Sequence, residues 1–313
     1  MTSNTRPSPS TIKYSVWQSP ERSWDELKAG AQWADARGFY SWWFADHFTH
    51  NTGDDTIVDG PVHECWSILS AIAAVTDRIR VGSLVSPTTV RHPAVLANTA
   101  ATIDHISHGR LTLGLGAGWQ INEHRAYGFD LLQARDRVDR FEEAITIISS
   151  LLTQRRTDVA GRHFTFLNAP CEPLPLQQPL PLMVGTGGPR MTAITVRHAH
   201  EWNTWGSPDE AARRIAVLDA ACERVGRDPR TIHRSVQALF MRASDPATAE
   251  RIRSVAPADR SVIGSTDEFR AAIERYAELG FDEVIVPDFT LGDSPEARRE
   301  SYEWFADEVL EMR

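Results

Sequence analysis

Lysine is almost missing from this sequence: Lys13 and Lys28 are the only two in 313 residues, so nearly all positive charge is guanidinium. Acidic side chains number 42 against 33 basic ones, giving a formal net charge of −9, and no basic run stands out to attract a polyanion. That argues against a nucleic-acid partner. Cysteine is scarce too. Cys65, Cys171 and Cys222 are odd in number, far apart and without CxxC spacing, which leaves reduced, mostly buried thiols in place of a zinc or redox pair. No stretch approaches the roughly 18 continuous apolar residues of a membrane span. The opening MTSNTRPSPST is polar and lacks an apolar signal core, so a cytoplasmic protein with no membrane partner is expected. No GxGxxG follows the first β-rich run; Gln18-Ser-Pro stands there, which counts against a dinucleotide-binding doubly wound sheet.

What is present is alternation. Short β-rich runs at 12–17, 40–44, 79–85, 111–114, 182–185, 202–204, 232–240 and 284–286 interleave with amphipathic stretches at 23–37, 65–76, 92–106, 134–152, 189–198, 207–225, 266–279 and 295–312. Eight such units predict a (β/α)8 TIM barrel, a single domain over 12–313 behind a flexible tail at 1–11. Start signals agree: Ser23 precedes Glu26 in capping-box spacing, Ser207-Pro208 and Ser294-Pro295 place proline at a first helical position, and Ser265 or Thr266 can cap the helix beginning at Asp267. Gly38 and Gly280 sit where helix-ending glycines belong. Extended connections follow strand 2 (46–64) and the fourth helix (153–181), the second holding a candidate hairpin and a proline-rich passage.

In a parallel barrel the C-terminal strand ends converge on one mouth, so chemistry is sought there. Asp46-His47 follows strand 2 and pairs a carboxylate with the side chain that changes charge near neutrality, a candidate for proton transfer. Gly114, Gly116 and Gly118 follow strand 4, where missing side chains would admit a flat ring or allow close strand packing. Asn122 offers a donor and an acceptor to a heterocycle edge, whereas Glu123 and His124 read as helix-start charges. Gly185-Thr186-Gly187-Gly188 leads into a helix opened by Pro189, a backbone cradle for phosphate or simply a tight turn; Arg190 would neutralise that phosphate or face solvent. His47, His50, His63 and Glu64 can also be written as a metal cluster, but their spacing on a long loop is irregular. Of the ten tryptophans, Trp42, Trp43 and Trp66 read as core, while Trp119, Trp202 and Trp205 sit near strand ends where rings can stack.

Trp43-Phe-Ala-Asp-His47, Val85-Ser-Pro-Thr-Thr-Val-Arg-His-Pro93, Asp104-His-Ile-Ser-His-Gly-Arg110, Leu113-Gly-Leu-Gly-Ala-Gly-Trp119 and Gly185-Thr-Gly-Gly188 together resemble the bacterial-luciferase-like superfamily, in order and along nearly the whole chain. Within it, the Asp-His pair and the Gly-Ala-Gly-Trp segment are most similar to the branch that uses the deazaflavin coenzyme F420. The resemblance implies hydride transfer between the deazaflavin C5 and a small organic substrate, with His47 as proton donor or acceptor and Asp46 at the cofactor. It further implies a non-prolyl cis peptide at Ser83-Leu84 behind the ring, with Ser86, Ala117, Gly118 and Asn122 around the ring or its side chain. Thr186, Gly187 and Gly188 would hold the phosphate, and a homodimer is expected. Sugar-phosphate dehydrogenases of this branch carry a carboxylate where this chain has Trp119, which points to a flatter or more apolar substrate. The alternatives are an FMN-dependent monooxygenase served by a flavin reductase, a metal-dependent barrel hydrolase, and a barrel that binds flavin without turnover.

Overall fold

The computed structural model describes residues 12–185 and 187–312; the expected tail at 1–11 lies outside them. Eight parallel strands run β1 Lys13–Gln18, β2 Ser41–Phe44, β3 Arg80–Ser83, β4 Leu111–Gly116, β5 Leu182–Gly185, β6 Glu201–Trp205, β7 His233–Gln237 and β8 Glu283–Pro287. They pair in the order β3-β2-β1-β8-β7-β6-β5-β4, and Val81 and Gly82 pair with Leu111 and Thr112 to close the ring. The expected barrel is therefore present. The helices between the strands cover its outside, and Ser23, Ser265 and Ser294 cap theirs through side-chain oxygens as their spacing implies.

Period-two alternation sorts each strand into an outward and an inward row. Outward residues such as Val16, Trp42, Phe44, Val81 and Leu113 pack with the helices into the main core. Trp42, fully buried, stacks on Phe44 at 5.2 Å and donates its indole N–H to Gln18 Oε1 at 2.8 Å. Burying such a ring removes about 150–250 Å² from water, worth roughly 4–6 kcal/mol. Inward residues stack in layers. At the N-terminal end the layer is charged, with buried Glu283 and Glu201 beside His233. Near the mouth it is apolar, formed by Trp17, Trp43, Ala45, Leu84, Met183 and Ile285.

Departures from expectation are local. The seventh run is two strands, β7 and a separate Leu239–Arg242 that leaves the barrel to pair with Ser261–Gly264. Helices Ile121–Tyr127 and Pro246–Arg253 are additional; both are short and polar-rich, so hydrophobic period gave no cue. The expected hairpin exists as Thr157–Ala160 against Thr165–Ala169. All three cysteines are free and buried. No helix among the described residues is long and apolar enough to cross a membrane.

Candidate active site at the barrel mouth

His47 follows β2 and stands one-fifth exposed at the mouth. Its Nδ1 lies 3.1 Å from Glu123 Oε1, and the other carboxylate oxygen accepts the Phe48 N–H at 2.9 Å. Glu123 is 1% exposed and sits in the first turn of helix Ile121–Tyr127, so it is a helix-start charge that also reaches across the mouth. A carboxylate can only accept, so the bond fixes the proton on Nδ1 and leaves Nε2 as the nitrogen that exchanges protons. Among the described residues Nε2 has no hydrogen-bond partner, and the Trp119 ring stands edge-on to the imidazole at 5.5 Å.

Asp46 points the other way. It is fully buried, and both oxygens are held by Arg91, at 2.6 and 3.0 Å. Trp66 donates its indole N–H to Asp46 Oδ2 at 3.2 Å and to Ser86 Oγ at 3.0 Å. Arg91 also binds Glu64 at 2.6 Å. Burial alone would make the guanidinium easier to deprotonate, yet Asp46 and Glu64 outweigh it and hold its pKa above the usual arginine value. Asp46 is thus a clamp that fixes the loop root carrying His47.

Asn122, buried at 1%, spends its amide on the loop after β2: its nitrogen donates to His50 O, Thr52 Oγ1 and Thr56 O at 2.8–3.2 Å. Its oxygen accepts from Thr49 and from the Glu123 N–H. Ser83 is likewise internal, exchanging hydrogen bonds with Gly114 at 2.9 and 3.1 Å. The expected cis peptide at Ser83-Leu84 is displaced by one residue: the cis bond joins Leu84 and Val85. Leu84 belongs to the inner apolar layer, and Val85 packs against it. The glycines divide between two explanations. A Cβ on Gly114 would collide with the Ser83 carbonyl oxygen, and one on Gly116 would lie 2.7 Å from Val85 Cγ2, so close packing accounts for both. Gly118 has φ +90, a left-handed backbone beside Thr89.

Gly187 and Gly188 differ, because a Cβ on either meets nothing within 4 Å. Gly188 is the N-cap of helix Pro189–His198 with no side-chain cap bond, so no capping side chain takes up the first-turn N–H groups, the kind of helix end that suits a phosphate. Thr186 lies outside the described residues. Of the two expected roles Arg190 takes the second: it is half exposed to solvent and pairs with Asp139 of helix Ala134–Thr153. The suggested metal cluster is dispersed, His47 going to Glu123 and His50 to Glu21, and no group placed to hold a metal occurs among the described residues.

Residues 10–263 match the luciferase-like monooxygenase family. The chain belongs to that family. Relatives include the F420-dependent hydroxymycolic acid dehydrogenase of Mycobacterium tuberculosis, 29% identical over 87% of this chain and 73% of the relative. The F420-dependent glucose-6-phosphate dehydrogenase of Beutenbergia cavernae is 27% identical over 91% and 92%. Among solved structures, an F420-dependent secondary alcohol dehydrogenase in complex with an F420-acetone adduct shares the fold, with TM-score 0.81 at 18% identity over 97% of this chain and 99% of that one.

In this luciferase-like protein two site residues escape sequence reasoning, Glu123 and Arg91. Each partners a side chain far away in sequence, 76 and 45 residues respectively. The one local signal is the placement of Asn122-Glu123 just after the glycine run, on the strand end facing His47. His124, also taken as a helix-start charge, is buried and bonded to Gln120 O at 2.6 Å and Thr89 Oγ1 at 2.8 Å.

Proposed function

We propose that the protein is a coenzyme F420-dependent oxidoreductase acting on a small organic substrate, with His47 moving the proton. The observation that carries this reading is the pairing of a Glu123-backed histidine with an open glycine cradle at the same barrel mouth. When bound, the deazaflavin supplies or takes up a hydride. Gly187 and Gly188 would hold its phosphate. Leu84, Val85, Ala117 and Gly118 would flank the ring, and Ser83 and Ser86 would brace those strand ends. Asp46 and Asn122 act on the site by fixing the loop that carries His47, since their polar atoms are already engaged.

In the reducing direction His47 Nε2 donates a proton to the substrate heteroatom whose carbon receives the hydride; in the oxidising direction it removes that proton. Glu123 keeps the ring in the tautomer that leaves Nε2 available. The F420-dependent relatives support the choice of cofactor. The test is equilibrium binding of oxidised and reduced F420 against FMN. Submicromolar F420 binding with FMN far weaker is expected; tight FMN binding with oxygen consumption and no F420 affinity would overturn the reading in favour of an FMN monooxygenase.

A further inference from the structure

The mouth is chemically lopsided. Its β4–β5 side is glycine, whereas the ends of β1, β6 and β8 are aromatic. Trp17 meets Trp205 at 5.4 Å and Phe289 edge-on at 4.8 Å. Trp17 lies in the inward row with Leu84, and Trp205 packs against the same apolar layer. Phe289 is 42% exposed and Trp119, beside His47, is 54% exposed, large areas of ring left in water at a mouth. Trp205 directs its indole N–H at the Gln237 carbonyl, 3.2 Å away with that amide oriented to satisfy its neighbours. The Trp17 indole N–H, by contrast, is buried and has no acceptor among the described residues. An orphaned buried donor is unfavourable and marks a place where a ligand acceptor would be rewarded. Beside this aromatic wall, Arg260 lies over the Trp205 ring at 5.9 Å but pairs with Asp259 at 3.1 Å, and Arg22 is bonded to buried Asp288.

We infer that this wall is the substrate subsite, and that it takes a planar, uncharged, ring-bearing compound whose carbonyl or hydroxyl oxygen accepts from Trp17 as Phe289 swings aside. This rests on the F420 reading and names its substrate class. A sugar phosphate finds neither a free cation nor a set of polar partners on this wall.

The experiment is a titration of protein carrying 15N-labelled tryptophan indoles, with and without F420. The probes are acetophenone, α-methylstyrene (the same shape without the oxygen) and glucose 6-phosphate. Acetophenone is expected to move the Trp17 and Trp205 signals and to bind roughly 3–10-fold tighter than α-methylstyrene, the range one neutral hydrogen bond gives. Glucose 6-phosphate should bind at least about tenfold more weakly than acetophenone. Phe289→Ala and Trp205→Ala, both at partly exposed positions, should each weaken acetophenone several-fold. Trp17→Phe should abolish the ketone preference while α-methylstyrene still binds. Tighter glucose 6-phosphate binding, or acetophenone affinity unchanged in both alanine variants, overturns the subsite. Loss of F420 binding with the acetophenone pattern intact overturns the cofactor reading alone; the reverse pattern overturns the subsite alone.

Discussion

Replacing Glu123 by Gln tests the site most directly, because the two acids differ by one atom type while the structure assigns both carboxylate oxygens to donors. Oε1 faces His47 Nδ1 at 3.1 Å and Oε2 faces the Phe48 N–H at 2.9 Å. A glutamine has one oxygen. If it keeps Phe48, its NH2 meets Nδ1 and forces the imidazole into the other tautomer, with Nε2 already protonated; if it keeps His47, its NH2 is set against the Phe48 N–H. In the second case a buried group is orphaned, costing about 1–3 kcal/mol of stability and lowering Tm by a few degrees; in the first, both bonds survive but the proton sits on the wrong nitrogen. Losing a correctly held proton-transfer group should lower kcat by roughly 10²–10⁴-fold. The assay is steady-state turnover with F420 and a competent substrate, alongside thermal unfolding. Because Glu123 acts through His47, the double variant Glu123→Gln/His47→Ala should turn over no more slowly than His47→Ala alone. A Glu123→Gln enzyme that melts earlier yet keeps kcat within about threefold of the parent would refute the reasoning and leave Glu123 a structural strut.

The two glycine classes should part company under substitution. Gly188→Ala is expected to leave Tm unchanged but weaken F420 roughly tenfold or more by crowding the phosphate, read by equilibrium titration. Gly114→Ala, whose Cβ would collide with the Ser83 carbonyl, should fail to fold or lose several degrees of Tm. Arg91→Met strands the buried Asp46 charge and should cost about 3 kcal/mol in denaturant unfolding, partly recovered by adding Asp46→Asn. At the far end of the barrel, burial pulls the His233 pKa down, but the hydrogen bond and charge of Glu283 outweigh it and leave it above 6.5. A raised folded-state value means this stabilisation is complete below about pH 6.5 and is lost as pH rises through the higher folded value. Thermal stability should therefore fall on going from neutral to alkaline pH, with a smaller fall in His233→Gln.

Much of the barrel was legible because strand and helix periods are local properties. Runs such as Arg80–Ser83 and Leu111–Gly116 announce themselves within a few residues, as do the Ser265 cap and the helix-ending Gly280. The positions of His47 after a strand and of Gly187-Gly188 before Pro189 were visible in the sequence as well; the roles proposed for them rest on the three-dimensional setting. The partners were not visible. Nothing near Asp46 in sequence indicates that Arg91 saturates it, nor does anything near Asn122 say that its amide will be consumed by His50, Thr52 and Thr56. Side-chain bonding across strands is decided by three-dimensional neighbours, so residue type predicts what a group can do and not what it is already doing. The shift of the cis bond from Ser83-Leu84 to Leu84-Val85 has the same origin: a backbone conformation leaves no trace in composition.

Two groups of the residues named above divide by chain half. His47, Glu123, Asp46 and Arg91 all precede residue 154, whereas Gly187, Gly188, Trp205 and Phe289 all follow it, beyond the hairpin at Thr157–Ala160 and Thr165–Ala169. On the proposed roles, an engineer recasting this protein for another compound would vary the segments after β6 and β8 together with Trp17, the wall residue that lies in the first half. Chimeras joined within that hairpin would exchange the Trp205 and Phe289 part of the proposed subsite while the His47–Glu123 pair travels intact.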